Sequence, residues 1–388
     1  MSAVIARAWR PVAVAVAWAL VGGGVAPEAT LRQARPSLAS RLESMRASGQ
    51  LPAVAAIVFR SAAILEQDAV GVRQLGSDAA VTTGDRWHIG SITKSFTATL
   101  AARAVDRGEF GWTSTLGDLL GAERAGAYAP VTVVQLLGHR AGLPPNVSQI
   151  LTLALARSTT PIAAQRQQAV DAILKTPPAS APGVRYQYSN AGYILMGAML
   201  ESRAGRDWED LLRAEILGPL RIASAGFGAP GAAGALTEPR GHRQRVGASL
   251  LPVEPGPGSD NPPFLGPAGT LHMTLADLAR WGQAHLRGER GQDGIVRAAT
   301  FQRLHQPAVE GAEYALGWVI RTIDGRRTIW HNGSNTMWYA ILAFDPDADL
   351  GVAIATNGSI GAQKTIDAGL GQLMRDWITA SSDRVRQP

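Results

Sequence analysis

Cysteine is absent from the 388 residues, which excludes disulfides, zinc fingers, iron–sulfur clusters and thiol nucleophiles in one step. Lysine is nearly absent too. Among 37 basic residues only Lys94, Lys175 and Lys364 are lysines, so the net charge of +6 is carried by arginine, which does not titrate in the useful range. Charge of either sign is sparse, at 18%, and the basic residues are scattered rather than gathered on one tail or segment. That pattern argues against nucleic acid as a partner. No apolar run reaches the roughly 20 residues that span a bilayer. The seven histidines lack metal-ligand spacing and His-Glu-x-x-His does not occur, so no metal site is expected. No serine is flanked as Gly-x-Ser-x-Gly. The nearest run, Asn357-Gly358-Ser359-Ile360-Gly361, fails at its first position, and a nucleophile elbow is unsupported.

What is present is a globular composition, 46% hydrophobic, enough for a full core. Arg7 and Arg10 precede an apolar run from Pro11 to Val21, followed by Gly22, Gly23, Gly24, Val25 and Ala26. A short basic region, a short apolar run and small residues make a secretory signal pattern. Residues 1–29 read as a signal peptide cleaved near Ala26 or Ala29, which places the protein in the periplasm or outside the cell. Membrane contact is then expected only through an uncleaved signal segment. Export also argues against nucleic acid, ATP and NAD, and no cofactor is expected.

Along the mature chain, Leu38, Leu42 and Met45 fall on one face of a helix ended by Gly49. Two strands follow, Val54 to Phe59 and about Glu66 to Gln74. A helix opens near Ser91 and runs to about Arg107. The middle is mostly helical, with helices near 161–175, 190–204 and 207–217. From Gly226 to Pro267 glycine and proline dominate, and a stretch this long without pattern is either mobile or site-forming. Thr274 caps a helix through Leu286. The end reads as a β-meander: Tyr314 to Ile323 meets Arg326 to Trp330 across Asp324-Gly325, a strong hairpin signal. Met337 to Phe344 and Leu350 to Thr356 pair next, and a helix striped by Ile366, Leu370, Leu373, Met374 and Trp377 closes the chain. The layout predicts an α+β fold, an antiparallel sheet flanked by helices with an inserted all-α lobe. The α/β lobe takes residues 30–108 and 300–388, and the helical lobe residues 109–299.

Three segments carry chemistry. In Gly90-Ser91-Ile92-Thr93-Lys94, Ser91 and Lys94 stand one turn apart at a helix start. A serine hydroxyl needs a base, and a lysine amine serves if burial lowers its pKa, whereas arginine stays protonated. A lysine here is informative in so arginine-rich a chain. The N–H of Ser91 can face a developing oxyanion. In Tyr188-Ser189-Asn190, a phenol beside Lys94 is a plausible base for Ser91 and then an acid for the leaving group, while the Asn190 amide can hold Lys94 and a substrate carbonyl. In His331-Asn332-Gly333, the glycine permits close backbone approach to a ligand. The N–H of Ser334 is then a second oxyanion donor, and His331 can touch a substrate carboxylate or the Tyr188 hydroxyl.

Taken in this order and spacing, the three segments resemble the serine β-lactamase and penicillin-binding acyl-transferase superfamily, above all class C β-lactamases, DD-peptidases of that branch and family VIII esterases. Leu136 to Leu143, Gly192 to Gly197 and Gly266 to Thr270 look like text of the same family. The resemblance implies Ser91 as nucleophile and Lys94 with Tyr188 as the proton-handling pair. It implies Asn190 as positioner of substrate and Lys94, and His331, Asn332 and Gly333 as the substrate strand. The His139 segment is structural in such relatives. Typical β-lactamases of the branch carry Lys-Thr-Gly where this chain has His331-Asn332-Gly333, so carboxylate recognition should be weaker here. The expected reaction is hydrolysis of an ester or amide through an acyl-serine, with Tyr188, supported by Lys94, taking the Ser91 proton. The expected partners are small-molecule substrates: small esters first, then D-amino-acid peptides of cell wall, then β-lactams. Trp338 and Tyr339 are expected to help wall an apolar cleft. Two other readings stay open: a penicillin-binding sensor that acylates without turnover, and a basic protein binding acidic surface polymers.

Overall fold

The computed structural model describes residues 36–244, 249–256 and 258–385, with side chains described up to 379. The signal segment read at 1–29 lies outside them. In chain order the strands are β1 (Ala53–Phe59), β2 (Ile64–Gly71), β3 (Arg86–His88), β4 (Gly226–Phe227), β5 (Gly241–Gln244), β6 (Leu250–Val253), β7 (Leu271–Thr274), β8 (Val319–Ile323), β9 (Arg326–Ser334), β10 (Tyr339–Asp345) and β11 (Leu350–Thr356).

Six of them form one antiparallel sheet, ordered β2-β1-β11-β10-β9-β8. The central strands β1, β10 and β11 read AVAAIVF, YAILAFD and LGVAIAT, nearly without polar alternation, and every residue in them is buried. Such runs require cover on both faces. Helices Leu38–Gly49 and Gln363–Val385 cover one face, packing Leu42, Met45, Ile366 and Leu373 on Val54, Ile341 and Ile354. The other face carries helix Leu275–Glu289 with Trp281, and beyond it helix Thr93–Asp106. The outer strands β2 and β8 carry Glu66, Asp68, Arg321 and Thr322, as edges that must not pair further usually do. Asp324 and Gly325 take φ of +51° and +74°, the pair of positive values a tight hairpin turn needs. The fold is thus the expected mixed class, an antiparallel sheet flanked by helices. The described residues from Ser37 onward form one compact unit.

Two local expectations change. The segment from Ser91 begins as a 3₁₀ turn, Gly90–Ile92, before the α-helix Thr93–Asp106. The Gly/Pro stretch is not patternless: it holds β4 and the β5–β6 hairpin. Proline at 252 and exposed arginine and glutamine hide that hairpin from periodicity.

Helix Thr93–Asp106 is buried along most of its length although Thr93, Lys94, Ser95, Thr97 and Thr99 are polar. Each hydroxyl finds a carbonyl: Thr93 bonds Gly90 O at 2.6 Å, Ser95 bonds Ile92 O at 2.7 Å, Thr97 bonds Pro267 O at 2.7 Å and Thr99 bonds Ser95 O at 2.9 Å. Buried polar groups must be paired in this way. Lys94 is the charged-type residue left among them, and its surroundings define the site.

Candidate active site

Ser91 sits where the chain turns from β3 into the buried helix. Ile89 N–H bonds Leu271 O at 2.9 Å and Gly90 N–H bonds His88 Nδ1 at 3.1 Å, so β7 and β3 fix the approach. Gly90 has φ +50°, and a methyl group on it would collide with Ser334 N and the Gly333 carbonyl carbon. Gly333 extends the same argument from the other side: a methyl there would strike Ile89 O and Ser91 N. The two glycines let β9 lie directly on the nucleophile turn. On its outer side β9 pairs with β8 only from Arg326 to Trp330, so His331 to Ser334 border that turn instead of another strand. The backbone nitrogens of Ser91 and Ser334 thereby both border this contact.

Lys94 is fully buried. Its Nζ lies 3.0 Å from Ser91 Oγ and donates to Ala268 O at 2.7 Å. It also stands 4.9 Å from the Tyr188 ring centroid and 5.6 Å from that of Tyr193. No carboxylate among the described residues is within ion-pair reach of it. Burial alone pushes its pKa well below the ordinary lysine value. Tyr188 contacts Ser91 through its hydroxyl. Burial raises the phenol above its ordinary value, and the bond with Ser91 only partly offsets this. The two shifts have one chemical consequence: the cluster favours a neutral amine and a neutral phenol over ammonium and phenolate. Both Lys94 and Tyr188, the pair expected to handle the Ser91 proton, stand at the serine hydroxyl.

Tyr188 is held by the segment around His139. The Ser189 N–H bonds His139 Nδ1 at 3.1 Å, and the His139 ring lies 4.4 Å from that of Tyr188. Ser189 caps helix Asn190–Ala204 through Gly192 N–H at 3.2 Å, which sets Tyr188 just before a helix start. Asn190 is the first residue of that helix, but its amide donates to Asn146 Oδ1 at 2.7 Å. The carbonyl that holds the Lys94 amine belongs to Ala268, where the sequence had suggested Asn190.

His331 is buried, and its Nε2 pairs with the Tyr314 hydroxyl at 3.0 Å. Burial above all pushes its pKa down to about 3, and any proton on Lys94 would lower it further, so the ring is neutral near pH 7. Its partner is therefore Tyr314, in place of the Tyr188 hydroxyl or a substrate carboxylate that the sequence had suggested. Asn332 alternates to the opposite face of β9, where its amide bonds the Tyr339 hydroxyl at 2.9 Å, so only its main chain borders the Ser91 side. Ser334 Oγ bonds Trp338 O at 2.6 Å.

The cleft-wall expectation for Trp338 and Tyr339 is corrected. Both are about 1% exposed. Trp338 lies on Gly241 and stacks on His88 at 5.7 Å, and Tyr339 reaches Asp367 on the far side of the sheet at 2.5 Å. Sequence reasoning had no means of finding Tyr193 and Tyr314. Tyr193 lay inside a quoted family segment but its hydroxyl partner, Leu137 O at 2.8 Å, is a backbone atom, and Tyr314 read as strand text.

The family model described as Beta-lactamase matches residues 38–373. Penicillin-binding protein 4 of Amycolatopsis lactamdurans is 28% identical over 334 residues, covering 82% of this chain and 84% of that protein. A D-aminopeptidase of Brucella canis is 24% identical over 344 residues, covering 87% of this chain but only 63% of the longer relative, so the chain spans less than two thirds of it. Among solved structures, a class C beta lactamase from Rhodobacter sphaeroides superposes with a TM-score of 0.67 at 19% identity, covering 87% of this chain and 98% of that one.

Proposed function

The chain belongs to the Beta-lactamase family, whose members include serine hydrolases, and on that premise we propose that it hydrolyses small uncharged esters through an acyl-Ser91 intermediate. The observation that carries the reading is a buried lysine amine 3.0 Å from a serine hydroxyl with no carboxylate among the described residues to hold a proton on it. The amine of Lys94 takes the Ser91 proton as Oγ attacks the carbonyl carbon. The N–H groups of Ser91 and Ser334 face the oxyanion, each donor worth about 10²–10³ in rate. Tyr188 gives its proton to the departing oxygen or nitrogen and is recharged from the Lys94 ammonium. Water then enters, loses a proton to Lys94, and attacks the acyl carbon; collapse returns a proton to Ser91 Oγ.

The preference for uncharged substrates rests on His331. Where a lysine ammonium would hold a substrate carboxylate, this chain has a buried ring kept neutral and committed to Tyr314. β-Lactams, which bring a carboxylate, are accordingly the weakest of the three substrate classes. Hydrolysis of an amide next to a D-residue is the second reading, favoured by the D-aminopeptidase relative. The proposal includes export, on the pattern from Arg7 to Ala26; N-terminal sequencing of the exported protein checks it.

Intact-mass spectrometry after brief exposure to a nitrophenyl ester, a β-lactam and an acyl-D-Ala-D-Ala peptide tests the reading. The ester should give an adduct on Ser91 that clears within turnover. An adduct that never clears would identify a penicillin-binding sensor instead. Unchanged ester hydrolysis in Ser91→Ala would overturn the mechanism.

A further inference from the structure

Outside the reacting groups, the polar cluster that ties most of the site together centres on Asp260, a residue of the Gly/Pro stretch. Its side chain is 8% exposed. Asp260 Oδ1 accepts from Asn335 Nδ2 at 2.7 Å, and Asn335 Oδ1 in turn accepts from Met337 N–H at 3.1 Å and Trp338 N–H at 3.3 Å. These bonds fix the turn that begins at Ser334. The same carboxylate oxygen lies 2.9 Å from His88 Nε2, and His88 Nδ1 accepts the N–H of Gly90 at 3.1 Å. With Nδ1 accepting, Nε2 is left against the carboxylate in a close polar contact that is not an aligned hydrogen bond. The next residue, Asn261, donates through Nδ2 to Gly269 O at 2.8 Å, one peptide beyond the carbonyl that holds Lys94.

We propose that Asp260 is a positioning residue that holds the two halves of the oxyanion site in register, through His88 to the Ser91 turn and through Asn335 to the Ser334 strand end. The reason is mechanical. Ser91 N and Ser334 N come from segments 243 residues apart in sequence, joined at the site by close packing of two glycines. Packing of this kind sets how close the segments come but resists sliding poorly, because a glycine surface offers nothing to interlock. A shared carboxylate, hydrogen-bonded to Asn335 and in close polar contact with His88, supplies the missing restraint. The proposal rests on the acyl-Ser91 reading above and adds to it which residue outside the reacting groups governs transition-state affinity.

The bonding pattern gives a sharp pair of variants. Asp260 Oδ2 is buried without a hydrogen-bond partner among the described residues, and both the Asn335 bond and the His88 contact run through Oδ1. Asp260→Asn keeps an oxygen at that position; Asp260→Ala removes it. Likewise the amide oxygen of His88→Asn falls near the place of Nδ1, and His88→Leu offers no acceptor.

The experiment compares these variants with wild type in three measurements: nitrophenyl-ester kinetics per active site titrated, affinity for phenylboronic acid, which forms a tetrahedral adduct on serine, and amide hydrogen exchange. Asp260→Ala should lose roughly 10²-fold in kcat/KM with KM little changed. Its boronate affinity should fall by a similar factor, and exchange should rise at 88–91 and 333–338 alone. Asp260→Asn should stay within several-fold of wild type. His88→Leu should loosen only 88–91 and Asn335→Ala only 333–338, so each arm is testable if Asp260→Ala does not fold. Wild-type boronate affinity per active site in Asp260→Ala, or unchanged exchange at both segments, overturns the proposal. Should the wild-type chain acylate with nothing, the acyl-Ser91 reading falls, while the exchange pattern still decides whether Asp260 couples the two segments.

Discussion

The Lys94 amine stands 3.0 Å from Ser91 Oγ and 2.7 Å from Ala268 O inside a pocket of tyrosine rings, with no carboxylate among the described residues to compensate a charge. A carbonyl dipole and two aromatic faces stabilise an ammonium far less than a carboxylate does. Withholding a counter-ion thus favours the unprotonated amine that the proposed mechanism uses. Replacement of Lys94 tests this directly. Lys94→Ala should lower kcat for a nitrophenyl ester by about 10³-fold or more, within the range general-base loss produces. Lys94→Arg should do no better, because guanidinium does not give up its proton. Stopped-flow acylation rates check both.

The acid side of the pH profile follows from two depressed groups. Lys94 must be unprotonated to act, so kcat/KM should rise with pH through its lowered pKa and reach a plateau well below the ordinary lysine value. Stability follows the same sign. His331 has a folded pKa of about 3 against an ordinary 6.5, so between those values the unfolded chain binds more protons than the folded one. Its contribution is complete above pH 6.5 and is lost as pH falls toward 3. His139, His272 and His285 are depressed by burial as well and act in the same direction. Urea midpoints measured from pH 7 down to pH 4 should fall steeply for wild type and less steeply for His331→Gln.

Much of the site was legible in the sequence, and the physical reason is local. Ser91 and Lys94 are one helical turn apart, so their spacing alone places them together. Gly90 and Gly333 announce themselves because only glycine tolerates the approach each makes. The hairpin at Asp324-Gly325 and the all-apolar strands were legible for the same reason. What escaped depends on partners distant in sequence. Asn190 read as a positioner of Lys94 and substrate, yet its amide faces Asn146, 44 residues earlier in the chain. Asp260 gave no signal at all, since a lone aspartate in a Gly/Pro stretch carries no periodicity. Trp338 and Tyr339 were misread because a central strand covered on both faces buries every side chain, and alternation gives no hint which face is which.

The packing of β9 on the nucleophile turn predicts an intolerance to a single methyl group. Gly333→Ala would place a carbon against Ser91 N and Ile89 O, both backbone atoms that cannot swing aside. β9 must then shift, and Ser334 N–H moves with it. Ester kcat should fall about 10²-fold, the loss expected for one displaced oxyanion donor. A crystal structure of the variant would show the β9-to-turn separation increased; an unchanged separation with normal activity would show that the approach is looser than described.

Arg166 predicts a stability effect remote from chemistry. It is fully buried, bonds Glu201 and Phe264 O, and pairs with Glu209 at 2.8 Å. These contacts join helices Ile162–Lys175, Asn190–Ala204 and Trp208–Leu212 just ahead of the Gly266–Gly269 turn that supplies the Lys94 acceptor. Arg166→Met leaves Glu201 buried without its cation, at a cost of about 3–5 kcal/mol. Chemical denaturation should show that loss. Arg166→Met combined with Glu201→Gln should recover part of it, since the uncompensated charge is then gone.

Tyr188 and Lys94 are separated by the leaving group. If the amine takes the Ser91 proton and the phenol serves only the departing group, the need for Tyr188 must scale with how badly that group needs a proton. Nitrophenolate leaves unaided near neutral pH, whereas an alkoxide from a simple alkyl ester does not. Tyr188→Phe should therefore cost little in acylation by a nitrophenyl ester and roughly 10²–10³-fold with an ethyl ester of the same acid. Lys94→Ala should cost both substrates alike. A Tyr188→Phe variant equally slow on both esters would return the base role to the phenol, and the raised phenol and depressed lysine would then have to be explained by packing alone.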